Sequence, residues 1–275
     1  MKYCGRFSNK IDMSIFDEIS IRYEAQDKEL LTFLEKHADK KVTLTIPQVS
    51  FNSFYKASAW DIINAIQEKY PSYDLHVCFF EPCKFDLIAP EVEECMKHLK
   101  VPYYVGDTVT NFAQMHYLIT KGVSEIYVAE ALCFDLRRAK RTCDRYGVKL
   151  RAFPNVAQSE VKDINPLHKF FIRPEDVEEY SDCIDTLEFW GPLDRQATLH
   201  KIYTKGVWFG DLNDLILDLN LSFDSRRIVP GFAQARKTCD QKCLKGGSCA
   251  ICDRMLNISK LLEEKDLIIQ RKKKS

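Results

Sequence analysis

The segment EIYVAEALCFDLRRAKRTCDRYGVKLRAF, Glu125 to Phe153, decides the fold class. Its two ends, EIYV and KLRAF, are short and rich in β-branched or aromatic residues, which is typical of buried strands. Between them, Asp135 to Tyr146 begins with an acidic residue, carries basic residues further along and stops at Gly147, which matches helix start and stop chemistry. A strand, a helix and a second strand in this order predict a parallel sheet covered by helices.

The same alternation extends through the first three quarters of the chain. Eight stretches have strand character: Glu18 to Tyr23, Val42 to Ile46, Leu75 to Phe80, Pro102 to Val105, Glu125 to Val128, Lys149 to Phe153, Lys169 to Ile172 and Thr186 to Trp190. Helix-length stretches with apolar residues at three- and four-residue spacing lie between most of them. An open doubly wound sheet usually has a glycine-rich turn after its first strand, whereas EAQDKE follows Tyr23 here. The pattern therefore favours an α/β fold of the closed (β/α)8, TIM-like kind.

The helix and strand alternation stops near Gly206. We therefore expect a barrel over residues 1–206 and a small appendage over residues 207–275, which contains a cysteine cluster and a basic end. The 275-residue chain has 40 Lys and Arg against 40 Asp and Glu, and 45% apolar residues. This composition excludes disordered and fibrous classes, and the balanced charge argues against a protein-wide attraction to nucleic acid or acidic lipid.

Two further observations bear on location. The N-terminal residues lack the basic and then apolar pattern of a secretory signal. No stretch approaches the roughly 18 apolar residues that span a bilayer. We therefore expect a cytoplasmic protein with no membrane partner.

The appendage contains CDQKCLKGGSCAIC, in which four cysteines are separated by three, five and two residues. Thiolates bind soft or borderline metals, and two cysteine pairs around a Gly-Gly turn can supply four sulfurs to one tetrahedral site. The predicted metal ligands are Cys239, Cys243, Cys249 and Cys252. Both structural zinc and an iron–sulfur cluster fit four cysteines, so the spacing leaves the metal open.

Polar residues at the carboxyl ends of the strands are the other candidates, because barrel enzymes keep their active sites at that end. These residues are Arg22, Glu24, Gln48, Glu81, Asp107, Glu130, Asn155, Arg173 and Glu188. In a closed barrel they converge on one rim and form a pocket. For each residue, the alternative is a solvated loop position or a helix N-cap.

Three stretches together resemble the collagenase-like peptidase family, peptidase family U thirty-two. They are Gly122 to Asn155, then FFIRPEDVEEYSDCIDTLEFWG at Phe170 to Gly191, then FGDLNDLI at Phe209 to Ile216 followed by the four cysteines. The resemblance covers about 130 residues in order. In one respect the chain departs from the family, because the loop after Asn155, VAQSEVKDINP, has no cysteine where many relatives have two.

The resemblance implies a (β/α)8-like barrel and an oxygen-independent hydroxylase that acts on an RNA base or a small aromatic acid. It also implies iron–sulfur clusters and prephenate as a co-substrate in some members. We further expect an electron donor or another partner protein. No Ser–His–Asp, Cys–His or zinc-protease motif supports proteolysis.

On this hypothesis, a pocket for an anionic small molecule or RNA is formed by two sets of residues. The candidate catalytic residues are Glu188, Arg173 and Asn155, and the candidate substrate-binding residues are Arg22, Gln48, Glu81 and Glu175. Arg173 would grip a carboxylate or phosphate with its forked guanidinium, and Glu188 would transfer a proton.

Two alternatives stay open. Arg173 could instead form an internal ion pair with Glu175 or Glu188. The whole chain could instead be a non-catalytic binding or assembly module with a structural zinc site, a reading that the missing loop cysteines favour. The identity of the metal discriminates the enzyme from the module.

Overall fold

A computed structural model gives the architecture. It describes residues 1–23, 30–80, 83–84, 87–109, 111–128, 135–157, 167, 169–219, 222–229, 231–237, 252–255, 257–258 and 260–261. The strands are β1 (Lys2–Arg6), β2 (Glu18–Arg22), β3 (Lys41–Pro47), β4 (Asp74–Phe80), β5 (Cys83–Lys84), β6 (Leu87–Ile88), β7 (Tyr103–Val109), β8 (Glu125–Val128), β9 (Lys149–Ala152) and β10 (Thr186–Glu188). The helices are α1 (Leu30–Lys36), α2 (Phe51–Lys56), α3 (Ala59–Lys69), α4 (Pro90–His98), α5 (Phe112–Thr120), α6 (Leu136–Arg145), α7 (Val177–Tyr180), α8 (Gln196–Lys205), α9 (Leu212–Leu215) and α10 (Phe232–Lys237).

Eight of the strands close into a parallel barrel in the order β1-β10-β9-β8-β7-β4-β3-β2, while β5 and β6 form a separate antiparallel hairpin. The prediction of an α/β, (β/α)8 TIM-like barrel is confirmed. The segment that decides the fold class forms β8, α6 and β9. Asp135, the predicted start, is the N-cap of α6, and the C-cap is Tyr146, one residue before the predicted stop at Gly147. In the described residues, no helix is long and apolar enough to cross a membrane.

One of the eight predicted strands is wrong. Phe170 to Ile172 is buried, but the predicted strand Lys169 to Ile172 takes no place in the barrel. The closing strand is β1, which pairs with β2 on one side and β10 on the other. The apolar character of Lys169 to Ile172 has another cause, since Phe170 packs against Tyr180, and Phe171 against Phe232.

The two faces of the barrel strands differ in chemistry. In β3, the buried apolar residues Val42, Leu44 and Ile46 alternate with Lys41, Thr43 and Thr45. Successive strand residues point to opposite faces, and Lys41 contacts Glu18 of the neighbouring β2 and Glu125 of β8 across the barrel. The apolar face therefore packs outward under the helices, and the polar face fills the interior.

Residues beyond α8 pack onto the barrel. The Arg236 guanidinium in α10 donates to the carbonyl of Phe171 at 3.2 Å, and Leu217 forms a β-bridge with Val156 just after β9. The predicted domain boundary at residue 206 coincides with the end of α8, where Gly206 takes the left-handed conformation (φ 68°). The division into barrel and appendage stays a prediction.

Candidate active site at the barrel mouth

The floor of the candidate site is an ionic cluster inside the barrel. Arg151, fully buried in β9, donates through Nη1 to Glu18 and Glu125, each at 2.7 Å, and through Nη2 to Glu188 at 2.9 Å. Lys41 pairs with Glu18 at 3.3 Å and also with Glu125. Charges removed from water are tolerated when they are paired and hydrogen-bonded, and the charged groups of this cluster are paired, although Arg151 Nε has no hydrogen-bond partner among the described residues.

The pKa values of this cluster reflect the pairing. Burial would raise the pKa of Glu125, but Arg151 and Lys41 outweigh it and lower that pKa to about 2. The same opposition lowers the pKa of Glu18. Burial and the nearby Lys41 lower the pKa of His76, so its imidazole is neutral at pH 7. The interior thus holds ionised carboxylates and cations beside a neutral imidazole.

Glu188 joins this cluster to the open end of the barrel. Its Oε2 accepts hydrogen bonds from Arg151 and from the Tyr127 hydroxyl at 2.5 Å, and its Oε1 accepts from the Ser20 hydroxyl at 3.3 Å. Burial first, and the Glu188 carboxylate next, raise the pKa of Tyr127 well above its ordinary value. Tyr127 therefore stays protonated and donates to Glu188.

Above Glu188 lies a cavity of about 300 Å³. The described residues that line it are Arg6, Phe7, Ser20, Arg22, Thr45, Pro47, Cys78, Phe80, Tyr127, Glu188, Trp190 and Leu193. These residues come from the carboxyl halves and ends of the strands and from the segments that follow β1 and β10. Barrel enzymes bind their substrates at this end.

An aromatic wall and an arginine form one side of the cavity. The Trp190 ring stacks on Phe80 with 5.3 Å between ring centroids, and the Arg6 guanidinium lies 4.6 Å from the Trp190 centroid. The Asn155 side chain fixes the Trp190 backbone, since it donates to the Trp190 carbonyl at 2.7 Å and accepts from the Trp190 amide at 2.9 Å. Gly106 leaves room for Phe80, because a Cβ there would lie 2.4 Å from the Phe80 ring.

Only part of the predicted site comes together in this cavity. Glu188 and Arg22 line it, and Asn155 holds its Trp190 wall. Gln48 is exposed in a 3-10 helix after β3 and does not line the cavity. Glu24, Glu81, Glu130 and the side chain of Asp107 lie outside the described residues.

Arg173 and Glu175 have internal partners instead. The Arg173 guanidinium, 4% exposed, grips Asp176 through Nε (2.6 Å) and Nη2 (2.7 Å), and its Nη1 donates to the Ser225 carbonyl at 2.7 Å. The Glu175 carboxylate accepts from the Trp208 amide at 3.0 Å and the Ser225 hydroxyl at 2.8 Å. The internal ion pair considered for Arg173 exists, although its partner is Asp176 rather than Glu175 or Glu188. These contacts join the turn after Phe171 to residues of the appendage.

Among the described residues that line the cavity, only Arg22 and Glu188 were predicted as site residues from the sequence, and Arg6 and Trp190 are the main ones that were missed. Arg6 was missed because β1 was not recognised as a strand, and Trp190 was assigned only to the end of a strand. The segment KYCGR has charged residues only at its two ends, so its sequence offers no alternation from which the strand could have been predicted. Arg6 has no carboxylate partner among the residues that the structure describes.

The four predicted metal ligands are only partly within the described residues. Cys239, Cys243 and Cys249 lie outside them, and Cys252 is buried. Across the described ranges, no group of three or more His, Cys, Asp or Glu side chains is arranged to hold a metal ion. The metal site at the four cysteines therefore stays a prediction.

Comparison with known proteins gives no assignment: no protein-family model matches the chain, and no curated protein matches it. The geometry of the cavity is thus the basis for a functional proposal. It combines a basic rim, an aromatic wall and a carboxylate floor, which can bind a planar molecule with an acidic group.

Proposed function

We propose that the protein is a barrel enzyme that acts on a small aromatic acid bound in the mouth cavity. The observation that carries the proposal is the convergence of Arg6, Arg22, Trp190 and Glu188 on one cavity at the carboxyl end of the strands. Guanidinium groups match the geometry of a carboxylate, and aromatic side chains offer faces on which a ring can stack.

The size of the cavity favours a small acid over an RNA base as the substrate. About 300 Å³ is at the low end of small-molecule sites and fits one substituted ring. RNA binding depends on basic surface that neutralises phosphates, and the chain has a formal net charge of zero. We keep an RNA base as the less favoured substrate and place the enzyme in the cytoplasm.

The reaction class comes from the resemblance to the collagenase-like peptidase family, which supports oxygen-independent hydroxylation. Prephenate would be the oxygen source and would be reduced as the substrate ring is oxidised, while a cluster bound by the four appendage cysteines would supply electron transfer and a partner protein would be its electron donor. The donor set fits this role chemically, because four thiolates bind either iron–sulfur clusters or zinc. Among the described residues, Cys78 is the one cysteine that lines the cavity.

The residues of the cavity have distinct tasks under this proposal. Arg6 and Arg22 bind the acidic group at the rim, and the stacked Phe80 and Trp190 rings keep water from one face of the substrate. Glu188 receives a hydrogen bond from the substrate at the floor. Ser20 and Tyr127 hold the Glu188 carboxylate in position.

A second candidate function is a non-catalytic binding module with a structural zinc site. The observation that favours it is the state of the predicted catalytic groups, since Glu188 and Arg173 are both held by internal hydrogen bonds. Anaerobic purification with metal analysis and visible absorption discriminates the two candidates. Redox-active iron supports the enzyme, and zinc supports the module.

Titration calorimetry with benzoate tests the binding proposal. We expect Arg6→Ala to weaken benzoate binding about tenfold or more, because a charge-assisted hydrogen bond contributes roughly 1.5–3 kcal/mol. The matched control is Arg226→Ala, which removes an exposed arginine that is paired with Asp224 and does not line the cavity. If wild-type protein does not bind benzoate, or if both variants bind it as wild type does, the proposal is wrong.

A further inference from the structure

The basic and acidic groups of the cavity lie at different depths. Glu188 belongs to the floor, because it contacts Arg151 and Tyr127 inside the barrel and is 6% exposed. Arg22 is exposed and Arg6 is partly exposed, so both arginines lie at the rim. A ligand that reaches from rim to floor therefore meets cations at one end and a carboxylate at the other.

The strand register gives the separation between the two levels. Cys4 pairs with Glu188, and Arg6 follows two residues later in β1. On the other side, Ser20 donates to Glu188, and Arg22 follows two residues later in β2. Two strand residues advance by about 6–7 Å, somewhat less along the axis of a tilted barrel. This separation suits a benzene ring with substituents at opposite ends.

The Glu188 carboxylate has hydrogen-bonding capacity left for a ligand. An ionised carboxylate offers about four acceptor positions. Arg151 and Tyr127 occupy two positions at Oε2, and Ser20 occupies one at Oε1 through a long hydrogen bond of 3.3 Å. Among the contacts of the described residues, one acceptor position at Oε1 is left, on a side chain that lines the cavity.

We propose that Glu188 is a specificity-determining residue that selects ring acids with a hydroxyl or amino group opposite the acidic group. This inference rests on the proposed function, since it requires that the cavity bind an aromatic acid. The donor of the ligand takes the fourth acceptor position of Glu188, while its acidic group lies between Arg6 and Arg22. A ring acid without such a donor brings an apolar group against a carboxylate, and that contact is unfavourable.

Calorimetry with four ligands on the wild-type protein tests the inference. We expect 4-aminobenzoate or 4-hydroxybenzoate to bind about tenfold or more tightly than 4-methylbenzoate, which has similar size but no donor. Whichever of the two binds more tightly identifies the donor as an amine or a hydroxyl. The positional control is 3-aminobenzoate, whose amino group does not lie opposite the carboxylate. We expect its affinity to exceed that of 4-methylbenzoate by less than tenfold.

The outcomes separate this inference from the proposed function. Equal binding of all four ligands would overturn the selection by Glu188 and leave the aromatic-acid site intact, whereas binding of none would overturn both. Glu188→Gln should lower the ratio between 4-aminobenzoate and 4-methylbenzoate toward one. An undiminished ratio in a folded Glu188→Gln protein would also overturn the inference, and if that variant does not fold, the wild-type ligand series decides.

Discussion

Individual residues of this barrel have roles that depend on which neighbours hold them. Arg6 ends strand β1, and Arg173 follows an extended segment. Arg173 is nevertheless buried against Asp176, whereas Arg6 lies beside the Trp190 ring at the cavity. A sequence pattern gives the position of an arginine relative to a strand. It does not give the acceptors contributed by distant residues, such as the Ser225 carbonyl.

The Arg173→Lys variant should therefore lose stability rather than binding. Lysine keeps the charge but cannot form the two parallel bonds to Asp176 together with the bond to Ser225. We expect the free energy of unfolding to fall by roughly 1–3 kcal/mol, measured by urea denaturation. The benzoate affinity of the variant should equal that of the wild-type protein. A lower affinity with unchanged stability would contradict this prediction and indicate that Arg173 binds the ligand.

At the level of secondary structure elements, sequence reasoning was reliable where apolar residues were outward-facing. Val42, Leu44 and Ile46 predict β3 because they alternate and pack under helices. Strand β1, KYCGR, has no such apolar alternation, because Lys2 and Arg6 are charged and Gly5 has no side chain. A glycine is needed at position 5, since a Cβ there would lie 2.5 Å from the Phe16 ring. Pairing with β10, far along the chain, makes KYCGR a strand.

The barrel interior predicts how stability depends on pH. In the folded state the pKa of Glu125 is about 2, below the ordinary value of 4.5, and the pKa of Glu18 is also lowered. The unfolded chain therefore takes up protons first as the pH falls. The stabilisation is present above about pH 4.5 and is lost as the pH falls toward 2.

Urea unfolding at pH values from about 7 down to 3 measures this effect. We expect the unfolding midpoint to fall steadily below about pH 5. The matched variant is Glu125→Gln, which cannot titrate at that position and should give a shallower dependence from a lower starting stability. Identical slopes for the two proteins would show that Glu125 does not contribute as described.

On the scale of the whole molecule, the barrel class can be predicted from the repeated strand and helix pattern of the sequence, whereas the cavity cannot. Seven of the eight predicted strands belong to the barrel, because each carries its own apolar signal. The cavity depends on Arg6 from β1 meeting Trp190 beyond β10, and on Asn155 reaching the Trp190 backbone. These contacts are set by tertiary closure, which local periodicity does not encode.

The appendage supplies the remaining prediction. If the four cysteines bind one metal, Cys249→Ser should lower the metal content and the melting temperature, because metal-binding energy is folding energy in such loops. Metal analysis and thermal unfolding measure the two effects. The control is Cys95→Ser, which changes a buried cysteine of α4 and should leave the metal content unchanged. Unchanged metal content in Cys249→Ser would contradict the prediction.

The position of β1 has a consequence for how the chain folds during synthesis. This strand leaves the ribosome before the other barrel strands, yet one of its two neighbours is β10, and Ser20 and Glu188 lie 168 residues apart along the chain. At roughly 5–20 residues per second, the growing chain spends on the order of ten seconds or more before β10 emerges. Throughout that time the barrel lacks the pairing between β1 and β10, so one edge of β1 is open to other chains or to chaperones. Glu18 likewise has no Arg151 partner until β9 has emerged.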